Sequence, residues 1–174
     1  MGRRYADFWQ VSEEALTFSC KSLRLELTKA DSDRLMQSYL ELKAWPDAPP
    51  ALKGLKASGL RMALLSNFTV AMLDRAIKNS GLYGIFEDNL STDRVRAFKP
   101  DPQTYNMAIS GFGFKKEEIA FAAFGGWDVV GAKWFGYPTF WVNRAHVTAE
   151  ELEAVPDGVG KDLNDLATFV QPSR

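Results

Sequence analysis

The sequence predicts an α/β protein with a parallel sheet, preceded by a helical segment. Three observations carry this. From Ala51 onward, short and wholly apolar runs alternate with stretches of helical periodicity, the pattern of βαβ units whose strands are covered on both faces. Before that point two helical-period stretches follow each other with no apolar run between them. Polar or charged residues also recur just past the apolar runs, where open parallel sheets place their chemistry: Ser66-Asn67, Lys99 and Asp128.

Each element follows from its residues. Phe8, Trp9, Val11, Ala15, Leu16 and Phe18 give residues 5–22 one apolar helical face. Leu35, Met36, Tyr39, Leu40 and Leu42 do the same for 31–42 and are expected to face inward. "AWPDAPP" (44–50) breaks the helical pattern and marks the best boundary. "ALKGLKASG" then reads as a short helix ending on Gly59, and "LRMALLS" as an apolar strand. "TVAMLDRAIKNSG" is a helix stopped at Gly81, "NLST" a short strand and "PQTYNMAISGFG" a helix. "IAFAAF" is a strand, "WDVVGAKWFG" a helix, and "PTFWVN" the last strand.

A chain of 174 residues can bury a real core in one domain. Its net charge of −1 and short, broken basic runs exclude a nucleic-acid footprint or an anionic-membrane patch, so neither is an expected partner. No apolar run approaches the ~18 residues of a membrane span, and "MGRRYADFWQ" has no signal-peptide core. The single cysteine, Cys20, excludes an internal disulfide and fits a reducing cytosol; its helical spacing points to packing, and a cytoplasmic protein is expected.

Each polar feature has a plain structural reading. Ser66 and Asn67 can cap a helix, Asp128 can open one where the macrodipole favours a carboxylate, and Lys99 can be a surface residue. Gly125-Gly126 permits a tight strand-to-helix turn. At successive strand ends of one sheet, however, a hydroxyl, an amide, an ammonium and a carboxylate can converge on a site that holds an anion and polarises water. A lysine beside a carboxylate keeps that carboxylate ionised and well placed.

These stretches resemble a known family. "LLSNF", "FKPDPQTY" and "WDVVGAKWFGYPTFWVNR" are similar to the second, third and fourth motifs of the haloacid dehalogenase superfamily, most closely in its type II (L-2-haloacid) dehalogenase branch. The spacings agree: 33 residues from Ser66 to Lys99, six from Lys99 to Tyr105 and 29 from Lys99 to Asp128. "RRYADFWQVSEEAL" resembles the branch's cap helix. The resemblance implies a three-layer Rossmann-like parallel sheet with a partial helical cap at the N-terminus, 1–45 as cap remnant and 46–174 as core. It implies a hydrolase that works without cofactor or metal on a short 2-haloacid or related organic acid, and a homodimer. In that family a carboxylate displaces halide from C2 of the acid, and water then hydrolyses the ester. By resemblance Ser66 binds the substrate carboxylate and Asn67 helps accept the halide. Lys99 pairs with the nucleophile and with Asp128, Tyr105 supports Lys99, and Asp128 positions the water. Phe8 and Trp127 line the apolar wall.

Two departures qualify what the resemblance implies. The nucleophile belongs at the end of an apolar strand in an Asp-x-Tyr/Asp-Gly-Thr context, and none of the twelve aspartates stands in one. The core is therefore expected to lack its first strand, to expose the edges flanking it, and to be inactive alone; a non-catalytic truncated or interaction protein is the competing reading. Ala123-Phe124-Gly125-Gly126-Trp127-Asp128 also stands where the branch usually has Ser-Ser-Asn-Ala-Trp-Asp. A superfamily phosphatase, the further alternative, would carry a second acid at Phe124 for Mg²⁺, which wants carboxylate oxygens; the metal-free hydrolase is favoured over it.

Overall fold

A computed structural model describes residues 4–171. Helices α1 (Phe8–Ser22) and α2 (Lys29–Ser38) pack against each other. Asp7 caps α1 by accepting from the Gln10 N–H at 2.9 Å, and the Thr28 hydroxyl caps α2 from the Asp31 N–H at 3.1 Å. The pair buries less than its pattern predicts. Nothing in α1 is fully buried, Val11 and Phe18 are exposed, and of the α2 stretch Met36 is buried while Leu35 and Leu42 are exposed. Two helices packed on one another cover one stripe of each, and Phe8 and Tyr39 add contacts to Phe68, outside the pair.

The break in helical pattern at 44–50 runs into a new helix. Helix α3 (Ala48–Ala57) takes Pro49 and Pro50 into its first turn, where a missing N–H leaves no bond unmade. "DAPP" starts this helix, with Asp47 at its N-cap. Just before it, Asp47 accepts from both arms of Arg144 (2.9 and 2.7 Å) and from the Leu163 N–H (2.9 Å), far apart in sequence.

The strands form two parallel sheets. β1 (Ala63–Ser66) pairs with β2 (Asp88–Ser91), in register from Ala63 opposite Asp88 to Ser66 opposite Ser91. β3 (Phe121–Ala123), β4 (Thr139–Val142) and β5 (Gly158–Gly160) form the second, in that order. Helix α4 (Val70–Asn79) connects β1 to β2, α5 (Pro102–Phe112) leads from β2 to β3, and α6 (Gly126–Phe135) connects β3 to β4. With helices between the first four strands in turn, the arrangement is α/β and Rossmann-like. The single sheet the sequence suggests is interrupted, because β1 and β3 do not pair. Tyr105 of α5 spans the interruption: it is fully buried with Ala132 and Tyr137, and both Leu65 of β1 and Phe121 of β3 pack on that cluster.

"PTFWVN" is not the last strand. β5 and a final helix, α7 (Leu163–Val170), follow it. Gly158-Val159-Gly160 has no apolar run to announce a strand, yet it pairs with β4 in register. Its glycines are steric requirements: a Cβ on Gly158 would lie 2.8 Å from Phe140 and Phe169 ring carbons, and one on Gly160 2.4 Å from the Asp165 Cβ. Asp162 then caps α7 by accepting from the Asn164 and Asp165 N–H groups.

The Asp47 tie generates a prediction. The Arg144 guanidinium, and then the Leu163 N–H, hold the Asp47 carboxyl below its ordinary value against the opposing effect of burial. A depressed folded value means the contribution is fully present above the unfolded carboxyl range near pH ~4. It is lost as pH falls through the folded value. Asp47→Ala is expected to lower the unfolding free energy by about 2 kcal/mol at pH 7, with the gap to wild type closing below pH ~4. Urea unfolding at both pH values measures it.

Candidate active site

The site forms where β1 ends, beside the helix that follows β3. Lys99 ends a short irregular stretch, and Pro102 opens α5 three residues later, capped by Asp101 through the Gln103 N–H at 2.9 Å. The Lys99–Pro100 peptide bond is cis. The lysine side chain turns inward and is 9% exposed. Its Nζ donates to Asp128 Oδ2 at 2.5 Å and to the Leu65 carbonyl of β1 at 3.1 Å. Asp128, also 9% exposed at the side chain, sits in the first turn of α6. Tyr105 Oη donates to Asp128 Oδ1 at 2.8 Å. Both carboxylate oxygens are thus engaged, one by a cation and one by a phenol. Burial first, and the neighbouring Asp128 charge next, push the Tyr105 phenol well above its ordinary value, so it stays a proton donor.

The backbone around Lys99 is fixed as firmly as its side chain. Asn67 Oδ1 accepts from the Lys99 N–H at 2.9 Å and from the Thr92 hydroxyl at 3.3 Å. The Asn67 amide nitrogen donates to no partner among the described residues, leaving it available at the site. Ser66 Oγ accepts from the Phe68 N–H at 3.1 Å, a turn contact rather than a helix cap, since Thr69 caps α4. Ser66 therefore follows directly on the residue whose carbonyl Lys99 holds.

Apolar walls come from two directions. Trp127, half exposed, has its ring 5.9 Å from Lys99 Nζ, and the Phe121 ring lies at 5.5 Å. Phe8 packs on Phe68 (5.2 Å between centroids), Tyr39 (6.3 Å) and Phe98 (6.5 Å), the immediate neighbours of Asn67 and Lys99 among them. Gly125 lets the indole fold back: a Cβ there would lie 2.8 Å from Trp127 Nε1.

Lys99, Asp128, Tyr105 and Asn67 are joined by hydrogen bonds; Ser66, Trp127 and Phe8 stand beside them. Sequence reasoning missed Ser91 and Thr92, both fully buried, though they also end a strand. Ser91 Oγ donates to the Phe68 carbonyl at 2.6 Å, and Thr92 holds Asn67. The strand-end rule that singles out Ser66-Asn67 applies equally to them. It also missed Tyr5, which donates to Asp93 at 2.7 Å and stacks on Phe98 at 5.6 Å, tying the approach to α1 to the Lys99 stretch.

A parallel α/β core with a lysine–aspartate pair at its strand ends and a serine-asparagine turn beside it defines a class of hydrolase cores. Residues 3–136 match the haloacid dehalogenase-like hydrolase family, and the chain belongs to that family. It is 38% identical over 154 residues to haloacetate dehalogenase H-2 of Moraxella sp. (strain B), covering 88% of this chain and 69% of that one. It is 43% identical over 141 residues to (S)-2-haloacid dehalogenase 4A of Burkholderia cepacia, covering 81% and 61%. The crystal structure of L-2-haloacid dehalogenase from Xanthobacter autotrophicus with chloropropionic acid covalently bound superposes with a TM-score of 0.87 at 32% identity, over 96% of this chain and 77% of that one.

Gly131 tests how tightly the site is assembled. A Cβ there would lie 2.4 Å from Tyr105 Oη and 2.7 Å from the Pro100 Cβ. Gly131→Ala is expected to cost about 1–3 kcal/mol through overpacking, and Tyr105→Phe about 1 kcal/mol through the lost hydrogen bond. The double variant should cost less than the two losses combined, because removing the hydroxyl removes one of the clashes. Chemical denaturation of the three variants measures this.

Proposed function

We propose that this chain carries the charge-handling half of a 2-haloacid hydrolase site and releases no halide alone. The observation that carries the reading is the buried Lys99 ammonium, paired to an aspartate whose two oxygens are both occupied. Asp128 so held is a charge partner, not a free nucleophile. No other carboxylate among the described residues hydrogen-bonds Lys99.

The chemistry would run in two displacements. A carboxylate oxygen brought beside Lys99 attacks C2 of the haloacid, the C–O bond forms as the C–halogen bond breaks, and halide leaves. Water then adds to the ester carbonyl; the 2-hydroxyacid departs and the carboxylate is regenerated with release of a proton. Lys99 holds the attacking carboxylate ionised and in place. Asp128 fixes Lys99 and orients the water, and Tyr105 fixes Asp128. The Ser66 hydroxyl donates to the substrate carboxylate, and the free amide N–H of Asn67 faces the departing halide. Phe8 and Trp127 exclude water around C2, which strengthens every polar contact inside. Residues 1–45 would serve as cap remnant over the 46–174 core. The reaction calls on no metal or cofactor, and the unpaired Cys20 supports a cytoplasmic setting.

We also propose a homodimer. Val11 and Phe18, two helical turns apart on α1, are exposed with Leu23 and Leu25 nearby in sequence, a set of large apolar side chains that a second copy would cover. The expected outcome is a dimer by light scattering that Phe18→Glu dissociates; a wild-type monomer at every concentration contradicts it. For activity, the 174-residue chain incubated with L-2-chloropropionate is expected to release chloride no faster than buffer, since losing one member of a catalytic unit costs orders of magnitude. Chloride release that Lys99→Ala abolishes would overturn the proposal.

A further inference from the structure

We infer that Trp127 is a polar contact of the site as well as part of its wall. Its indole N–H donates to the carboxylate of the substrate acid, and Gly125 is the residue that lets it do so. The inference rests on the proposed function and adds to it a second donor, beside Ser66, for that carboxylate.

Gly125-Gly126 lies in the stretch where this sequence departs from the dehalogenase branch, and the backbone does not account for the pair. Gly125 has φ −79° and ψ 129°, extended backbone that any residue adopts. Neither glycine has a positive φ. Each one makes room for a side chain instead. A Cβ on Gly126 would lie 2.8 Å from the carboxyl carbon of Glu150, an exposed residue of the connection between β4 and β5. A Cβ on Gly125 would meet the Trp127 indole, with Nε1 at 2.8 Å and the ring carbons Cδ1 and Cε2 at 3.3 Å. The one polar atom of the ring is thus the atom set closest to Gly125. An alanine at this position keeps its backbone unstrained and turns the half-exposed indole outward.

Polar accounting says what the N–H is for. The Tyr105 phenol and the Lys99 ammonium are both engaged by Asp128. Among the described residues, three side-chain donors of the site have no acceptor: the Ser66 hydroxyl, the Asn67 amide and the Trp127 indole. Trp141 shows the contrast, since its Nε1 donates to the Phe124 carbonyl at 3.0 Å. A substrate carboxylate brings two oxygens with about four lone-pair sites, of which a single serine hydroxyl meets one. Enclosing that charge between apolar walls is costly unless it is hydrogen-bonded. With the Asn67 amide turned to the halide, the indole N–H is the donor left over. Its ring stands 5.9 Å from Lys99 Nζ, so an oxygen taken by the indole also lies in the field of the ammonium. Hydration of a half-exposed indole edge is the plain alternative, and it gives no reason for a glycine at 125.

The test is a ¹⁵N–¹H spectrum of the labelled chain, in which five tryptophans give five indole resonances and Trp127→Phe identifies one of them. The probe is propionate, which carries the carboxylate but no halogen. A saturable downfield shift of the Trp127 indole proton is expected, together with shifts of the Ser66 and Asn67 amides. Propionamide, neutral and of the same shape, should bind far more weakly. Gly125→Ala and Trp127→Phe should each weaken propionate binding by about fivefold, the loss of one hydrogen bond, with little change in melting temperature. If one of these variants does not fold, the other decides. Propionate that shifts the Ser66 and Asn67 amides but leaves the Trp127 indole unmoved would overturn the inference and leave the proposed function standing. Unchanged affinity in both variants, or an indole shift that sodium bromide reproduces in full, would also overturn it. No shift anywhere up to about 100 mM propionate would count against both readings.

Discussion

One ammonium group holds this molecule's site together. Lys99 Nζ is shared between a main-chain carbonyl of β1 and the Asp128 carboxylate on the helix that follows β3. The two sheets have no ladder between them; this lysine and the Tyr105 cluster relate one to the other beside the site, as the Asp47 contacts with Arg144 and Leu163 do farther away. A buried ion pair adds little over a well-packed apolar substitute, but removing one partner strands a charge in low dielectric and costs far more. A lysine suits the position: its compact ammonium can point at a carbonyl and a carboxylate at once, where a planar guanidinium demands a wider fork.

The rest of the site follows from keeping that ammonium still. Asn67 pins the Lys99 backbone, Thr92 pins Asn67, and Tyr105 occupies the carboxylate oxygen that Lys99 leaves free. Gly131 is needed for close approach, since any side chain there would meet the phenol. The Tyr137 hydroxyl, with its ionisation pushed up to about 12 by burial, donates to the Tyr105 carbonyl at 2.6 Å. Rigid supports of this kind let a charge act without reorganising.

Much of this was legible in the residues. Each of the four strands read from the sequence is present, and the strand-end rule brought Ser66-Asn67, Lys99 and Asp128 to one place, because parallel sheets are covered by their helices and leave only their carboxyl ends for chemistry. What stayed hidden has physical reasons. β5 depends on glycines admitted between Phe140, Phe169 and Asp165, a requirement of tertiary packing that no local propensity shows. Pro49-Pro50 looked like a breaker because proline signals both a helix start and a linker, and the Asp47 contacts with Arg144 and Leu163 that accompany the start here are remote in sequence. The exposure of Val11 and Phe18 was equally invisible, since periodicity names an apolar face without saying whether anything covers it. Whether β1 and β3 would close on each other could not be read from either strand.

The claim on which everything else rests is that Lys99 and Asp128 act as one unit across the interruption in the sheet. A double-mutant cycle in urea measures it directly, with Lys99→Met, Asp128→Asn and the double variant, read by tryptophan fluorescence. Each single change is expected to cost about 3 kcal/mol by leaving its partner buried and unpaired. The double variant should cost little more than either alone, a coupling of roughly 2–3 kcal/mol. Losses that simply add, within about 0.5 kcal/mol, would contradict it and would mean that the two sheets hold their places without the pair.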